Sequence, residues 1–303
     1  MPETPDPTRA PGAPWRPSRR TVLIGAGAAV IVAAGATTTA VALRPRGPGK
    51  LATPLLQSDR FTVAHHGGSR DWPEESLFAY RHSVEAGVDA LEVSLARSSD
   101  GVWFGLHDAT LDRTSGTNGF VAADHTWAEI REHRIVPTGS QDPAQPSRPY
   151  ARFEDVLDAY GDSHALFIDP KVVDQRYYGD LFDLVSNHVK DPRETMIAKG
   201  YCTSVPWAKE ARRRGHRTWG YYYANEIAAK PELLTSTEEY WSVMGMNYDG
   251  APEQWRLVAA LGKPVIGHVV PTPAAAATAL GLGARGLMIS GVRETVGHLP
   301  TES

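Results

Sequence analysis

From Phe61 onward, short apolar runs alternate with stretches that repeat apolar residues at helical spacing, the pattern of a parallel sheet joined by crossover helices. The candidate strands are Phe61–His65, Ala90–Leu95, Val102–His107, Ala165–Asp169, Thr195–Lys199, Arg217–Tyr223, Val243–Asn247, Val265–His268 and Gly286–Ser290. That is one strand too many for an eight-stranded barrel. The surplus is explained by Ser98-Ser99-Asp100-Gly101, a turn sequence that leaves no room for a helix between the second and third candidates. Those two strands form an antiparallel hairpin, and pairing about the 99/100 midpoint sets Glu92 opposite His107. The alternation alone fits an open sheet as well as a barrel. The eight remaining strands can close, so the expected fold is α/β, a (β/α)8 TIM barrel with an extra antiparallel hairpin strand, over residues 60–303. Ser76 to Ala86 repeats apolar residues at helical spacing and stops at Gly87, and similar patterns precede Gly215 and Gly262. The Pro-rich segment from Asp142 to Pro149 is expected to be a surface loop inserted on a βα connection.

What precedes the barrel has a different composition. Residues 1–50 carry seven Lys/Arg against two Asp/Glu, which makes that stretch +5 and leaves the rest of the chain at -9. A body that acidic lacks the basic footprint of a nucleic-acid binder, so nucleic acid is not an expected partner. Residues 1–20 read as a Pro-rich, basic n-region ending in Ser18-Arg19-Arg20, and residues 21–43 contain no charged side chain. Paired arginines at that boundary resemble a twin-arginine export signal, which puts the protein outside the cytoplasm: extracellular, in the cell envelope or anchored to a membrane. The 23 uncharged residues exceed the ~7–15 of a usual cleaved signal. They are long enough to cross a bilayer of ~30 Å, so a cleaved leader and a retained anchor both fit. Residues 44–59 are expected to be a linker. The lone Cys202 cannot pair within the chain and is expected to be a small buried apolar residue.

Several expected strands end in a polar or ionisable residue: His65, Asp169, Lys199, Asn247 and His268, with His107 ending the hairpin. The C-terminal rim of a barrel is where chemistry is usually built. Glu92 and Ser94 share a strand face opposite to Leu91, Val93 and Leu95, so Glu92 points into the barrel, where an unpaired carboxylate is costly. Asp169 and Lys171, also two apart, share a face. Carboxylates, imidazoles and an ammonium on one rim suit a hydrolysis in which a hard cation neutralises a phosphate. As purely structural groups, the histidines would be satisfied by neighbours and Glu92 would pair with Lys171.

The motifs resemble those of the glycerophosphodiester phosphodiesterase family over about residues 60–295, most specifically from Ala64 to Gly119. The family's Ala-His-Arg-Gly is matched by Ala64-His65-His66-Gly67, and its Pro-Glu-Asn-Thr by Pro73-Glu74-Glu75-Ser76. Glu92-Val93-Ser94 stands at the family's metal-binding Glu-x-Asp, and Asp169-Pro170-Lys171 at its Glu-x-Lys. His107-Asp108-Ala109-Thr110-Leu111-Asp112-Arg113-Thr114 matches its most recognisable run. The resemblance implies an enzyme that hydrolyses glycerophosphodiesters to sn-glycerol 3-phosphate and an alcohol, with a small-molecule phosphodiester or lipid headgroup as partner. It further implies His65 and His107 as general acid and base, a divalent cation, Ca²⁺ or Mg²⁺, held by Glu92, Asp169 and Ser94, and phosphate contacts from His66 and Lys171; Asn247 is a further candidate phosphate contact from its strand-end position alone.

Three positions depart from the family pattern. Ser94 puts a neutral hydroxyl where a carboxylate is expected, Asp169 is a methylene shorter than Glu, and His66 replaces the guanidinium fork that would grip phosphate bidentately. The first two lower the expected metal affinity and with it the activity, although Ca²⁺ and Mg²⁺ accept waters as ligands. Two other functions fit the same motifs: a catalytically weakened barrel that binds phosphoesters or headgroups, and a phospholipase D or sphingomyelinase D-like enzyme, which also uses Asp-x-Lys.

Overall fold

The computed structural model describes residues 49–298. The segments read as n-region and export segment, and residues 44–48 of the expected linker, lie outside the described residues. Eleven strands are present in the described part: β1 Phe61–Ala64, β2 Ala90–Arg97, β3 Trp103–Gly105, β4 Arg134–Ile135, β5 Arg148–Pro149, β6 Ala165–Asp169, β7 Met196–Tyr201, β8 Arg217–Tyr222, β9 Val243–Asn247, β10 Val265–Val270 and β11 Gly286–Ile289. Eight of them run parallel in the order β1-β11-β10-β9-β8-β7-β6-β2, and β1 pairs back onto β2 to close the barrel. The ninth member of that sheet is β3, antiparallel on β2.

Period-two alternation sorts the side chains. Phe61, Val63, Ala90, Ala165, Phe167, Ile197, Trp219, Val243, Ile266 and Met288 fill the barrel interior. Leu91, Val93, Leu166, Ile168, Ala198, Met244, Leu287 and Ile289 face outward under the helices. Continuing the inward series toward the C-terminal ends places Glu92, Ser94, Asp169, Lys199, Tyr221 and His268 above that apolar plug, which is why the polar residues gather at one mouth. The plug is tight enough to require a glycine: a Cβ on Gly245 would lie 2.7 Å from the indole of Trp219.

The helix after β1 follows its sequence signals. It spans Leu77–Ala86, the Ser76 hydroxyl accepts the Ala79 N–H at 3.1 Å, and Gly87 closes it in the left-handed region at φ 89°. Cys202 is buried, and burial pushes its thiol up to about 11.

Three expectations need correction. The expected linker contains a helix, Ala52–Gln57, whose Ala52 and Leu55 pack with Phe61, Val63 and Met288 against the interior cluster. Its six residues lack a helical run long enough to read in sequence, and burial rather than propensity holds it. The hairpin pairs Leu95↔Gly105, Ala96↔Phe104 and Arg97↔Trp103, about Asp100 rather than about the 99/100 midpoint. Glu92 and His107 are therefore not cross-strand partners, since a slip of one residue reverses the face. The segment from Asp142 to Pro149 is a loop only in part, because Arg148–Pro149 pairs with Arg134–Ile135. This insertion has its own small core of Leu111, Ile130, Ile135 and Tyr150 with Phe104. It is tied to the loop after β1 by Gln141 Nε2, which donates to the carbonyls of Ser69 at 2.7 Å and Trp72 at 2.6 Å.

No helix among the described residues is long and apolar enough to cross a membrane. If the Ala52–Gln57 helix is part of the core, Leu55→Ala costs about 2–5 kcal/mol in urea unfolding, the range for a buried Leu. A cost near zero would return this segment to the status of a linker.

Candidate active site

The mouth of the barrel is organised by a buried lysine. Lys199 Nζ, on β7, lies 3.0 Å from Glu92 Oε1 and 2.8 Å from Asp169 Oδ2, so one ammonium spans the carboxylates of two other strands. The three residues are 3%, 0% and 5% exposed. Lys171 Nζ approaches the same Asp169 oxygen at 3.1 Å and donates to the Tyr221 hydroxyl at 3.1 Å. The ammonium of Lys199 also lies 4.9 Å from the ring centroid of Tyr221. Burial alone would raise the carboxyl of Glu92, but His66, Lys199, His65 and Lys171 together hold it well below the usual carboxylate range. Burial opposes a charge on Lys199, and Asp169 and Glu92 outweigh it and raise the ammonium's pKa. Glu92 is thus paired, as a carboxylate in the interior must be, but with Lys199 rather than with Lys171.

The second group is a row of imidazoles. His65 follows β1, and His66 takes a left-handed backbone at φ 50° ahead of Gly67 at φ 74° and Gly68 at φ 89°. That turn aims the His66 N–H at Glu92 Oε2, 2.7 Å away. The rings of His65 and His66 stack with centroids 3.8 Å apart, and the ring of His107 lies 5.0 Å beyond His66. His66 is buried between the other two, with Nε2 at 3.5 Å from Glu92 and 3.4 Å from Ser94 Oγ, and its Nδ1 has no hydrogen-bond partner. Burial pushes the His66 imidazole well below its ordinary value, against the pull of Glu92. Burial likewise pushes His65 down to about 4, against the pull of Glu92.

His107 is the most open of the three, with 36% of its side chain exposed. Its Nδ1 donates to Asp108 Oδ1 at 2.7 Å, and Arg113 Nε donates to Asp108 Oδ2 at 2.6 Å. The same guanidinium forks onto Glu74 at 2.9 and 2.7 Å. This relay fixes the His107 tautomer with Nε2 turned away from Asp108. Behind it, Glu75 is buried in a left-handed conformation at φ 56°, accepts the Ser94 N–H at 2.9 Å and bonds the Tyr80 hydroxyl. Burial and the nearby Glu92 push the Glu75 carboxyl well above its ordinary range.

Of the residues singled out in the sequence, His65, His66, Glu92, Ser94, Asp169 and Lys171 meet at this mouth, and His107 joins through His66. Asn247 ends β9, but its amide is committed to the Ala224 N–H at 2.8 Å and to Asp249 at 2.8 Å, which ties two loops together. Lys199 was visible only as a strand-end polar residue. Glu74, Asp108 and Arg113 lie inside the matching motifs, but only the three-dimensional structure joins them.

The donor set expected for a hard divalent cation does not fit one as arranged. Glu92 and Asp169 already share the Lys199 ammonium, and Ser94 Oγ donates to Glu92 Oε1 at 3.0 Å instead of adding a carboxylate. A divalent ion about 4 Å from that ammonium would meet roughly 8 kcal/mol of repulsion at an effective dielectric constant of about 20. His65, His66 and Glu92 offer another set of ligand atoms within 4.8 Å of one another, which could hold a metal ion. That set is rich in nitrogen, unlike the oxygen ligands Ca²⁺ and Mg²⁺ prefer.

Residues 65–194 match the model of the Glycerophosphoryl diester phosphodiesterase family, a span that opens on His65 and stops short of Lys199. That segment, residues 65–194, is similar to the glycerophosphodiester phosphodiesterase family. A glycerophosphodiester phosphodiesterase from Bacillus subtilis is 33% identical over 130 residues, 40% of this chain and 43% of its own length. The human glycerophosphodiester phosphodiesterase 1 is 39% identical over 79 residues, 26% of this chain and 24% of its own length. The matched segment thus spans less than half the length of these curated relatives. The barrel extends the likeness: an Agrobacterium tumefaciens glycerophosphodiester phosphodiesterase superposes with a TM-score of 0.59 at 18% identity, over 78% of this chain and 99% of its own. An Oleispira antarctica phosphodiesterase solved with the product sn-glycerol-3-phosphate gives 0.62 at 17% identity, over 78% and 94%. At these identities the superpositions establish the shared barrel fold.

One prediction concerns His268, buried among Trp219, Tyr221 and Tyr223 with Nε2 at 3.2 Å from the Tyr222 carbonyl. Burial pushes it down to about 3 from 6.5, so the unfolded chain takes up this proton before the folded one does. The stability that the neutral ring contributes is complete above pH 6.5 and is lost as the pH falls toward 3. In urea titrations between pH 6.5 and 4.5, the wild type should lose roughly 1.4 kcal/mol per pH unit more than His268→Gln. Parallel losses would show that the ring is protonated in the folded protein.

Proposed function

We propose that this barrel hydrolyses glycerophosphodiesters to sn-glycerol 3-phosphate and an alcohol, with His65 and His107 as the proton-transfer pair. The observation that carries the reading is the row of imidazoles beside two ammoniums, on the rim that the family's motifs occupy. A phosphodiester lying across His65 and His107 would place its phosphate within reach of the Lys171 and Lys199 charges.

The division of labour follows from the surroundings of each ring. His65, neutral at physiological pH, takes a proton from the attacking water as the new P–O bond forms. His107, entering the cycle as an imidazolium with Nδ1–H on Asp108, gives its Nε2 proton to the alkoxide as the old P–O bond breaks. Product release restores the pair once a proton passes from His65 to His107 through solvent. Asp108 acts through His107 and is a positioning residue. We further propose that the protein is exported, on the strength of the Ser18-Arg19-Arg20 boundary and the uncharged stretch that follows it.

The test is release of glycerol 3-phosphate from glycerophosphocholine by the full chain. His65→Asn and His107→Asn should each lower kcat about 10²–10⁴-fold, the usual contribution of a positioned acid or base. Asp108→Asn should lower kcat with little change in KM. A silent wild type under all ionic conditions would sink the hydrolytic reading, and His variants that turn over at the wild-type rate would sink the assignment of roles.

A further inference from the structure

We propose that Lys199 supplies the positive charge that a divalent cation would otherwise provide at this site, so that this chain acts on its phosphodiester without a metal; the inference rests on the hydrolytic reading above. Four observations converge on it. The ammonium lies between the two carboxylates that would be cation ligands, at 3.0 and 2.8 Å. The third expected carboxylate is replaced by Ser94, whose hydroxyl donates to Glu92 rather than offering a negative ligand. The two carboxylates that would be cation ligands, Glu92 and Asp169, are matched by the ammoniums of Lys199 and Lys171, so this pair has no uncompensated charge to offer a cation. Lys199 is nearly inaccessible, with its ammonium 5.8 Å and 4.9 Å from the ring centroids of Trp219 and Tyr221, so it is a fixture of the interior and not a surface side chain swung inward.

The substitutions form a consistent set. A lysine reaching in from β7 takes the place of the ion, and Ser94 removes the charge that the lysine would leave uncompensated. Shortening Glu to Asp at 169 leaves room for Nζ between the strands. An ammonium carries three donors; Lys199 gives one to Asp169 Oδ2 at 2.8 Å and lies 3.0 Å from Glu92 Oε1. A remaining donor would meet a phosphate oxygen. Lys171, on the same Asp169 oxygen, adds a second charge closer to solvent. Fixed ammoniums stabilise charge developing on phosphate as preorganised electrostatic groups, without a change of coordination.

The experiment pairs turnover with a readout that needs no turnover. The full chain is assayed on glycerophosphocholine in EDTA and in millimolar Ca²⁺, Mg²⁺ or Mn²⁺, and its melting temperature is followed under the same conditions. The expected result is turnover in EDTA within about twofold of that with any cation, and a melting temperature that the cations leave unchanged. Lys199→Met should lose at least about a hundredfold in turnover, the order expected for one preorganised charge-stabilising group, and its melting temperature should rise on adding Ca²⁺ or Mn²⁺. Lys199→Arg, which keeps the charge, should retain part of the metal-free activity. The proposal is overturned if EDTA abolishes wild-type turnover and a cation restores it. It is also overturned if a cation raises the wild-type melting temperature and Glu92→Gln removes that rise. Should Lys199→Met fail to fold, the wild-type responses alone decide. Absence of turnover in every condition would refute the hydrolytic reading, while the melting data would still tell whether the site takes a cation.

Discussion

Lys199 sets the terms for everything around it. A carboxylate buried inside a barrel must be paired, and here a single ammonium on β7 serves carboxylates from β2 and β6, tying three strands across the interior. Removing one member of such a buried set typically costs about 3–5 kcal/mol, because the remaining charges are left uncompensated. The polar mouth and the apolar plug beneath it therefore depend on each other. The plug of Phe61, Phe167, Trp219 and Met288 keeps water from the carboxylates, and the ion pairs make it tolerable to end those strands in charged residues.

Around this centre the loops are built from motifs that orient rather than react. The left-handed turn at His66 and Gly67 delivers the His66 backbone N–H to Glu92 and leaves His65 half-buried. The arm from His107 through Asp108, Arg113 and Glu74 returns to the same turn, where Glu74 lies 3.7 Å from His66 Nδ1. The insertion after β3 adds a clamp, since Gln141 and Gln145 hold the carbonyls of Ser69, Asp71 and Trp72. The two proposed proton-transfer groups sit on separate loops, and hydrogen bonds and stacked rings link those loops into one frame.

Much of this was legible in the chain of residues, because period-two alternation and glycine punctuation are local signals. The bounds of β6 and β9, the helix ending at Gly87 and the antiparallel strand after Asp100 all follow from such signals. The inward direction of Glu92 followed from Leu91, Val93 and Leu95 facing the other way. What escaped was non-local. Placing the hairpin register one residue off came from a turn whose Gly101 sits past its midpoint, and the Ala52–Gln57 helix exists only because the base of the barrel buries it. The role of Lys199 could not be read, because its partners are 107 and 30 residues away in sequence and the distances between strands decide the contact. Asn247 illustrates the reverse case: the strand-end position was right, but its amide serves the backbone of a neighbouring loop.

The space between Glu92 and Asp169 holds either the Lys199 ammonium or a cation, and which of them occupies it decides how the site works. The most direct measurement is a crystal structure of the protein grown with Mn²⁺ and inorganic phosphate, with anomalous data collected at the manganese edge. The prediction is lysine density reaching both carboxylates, phosphate beside His65 and Lys171, and no anomalous peak at the barrel mouth. An anomalous peak bound to Glu92 and Asp169, with Lys199 displaced, would contradict it.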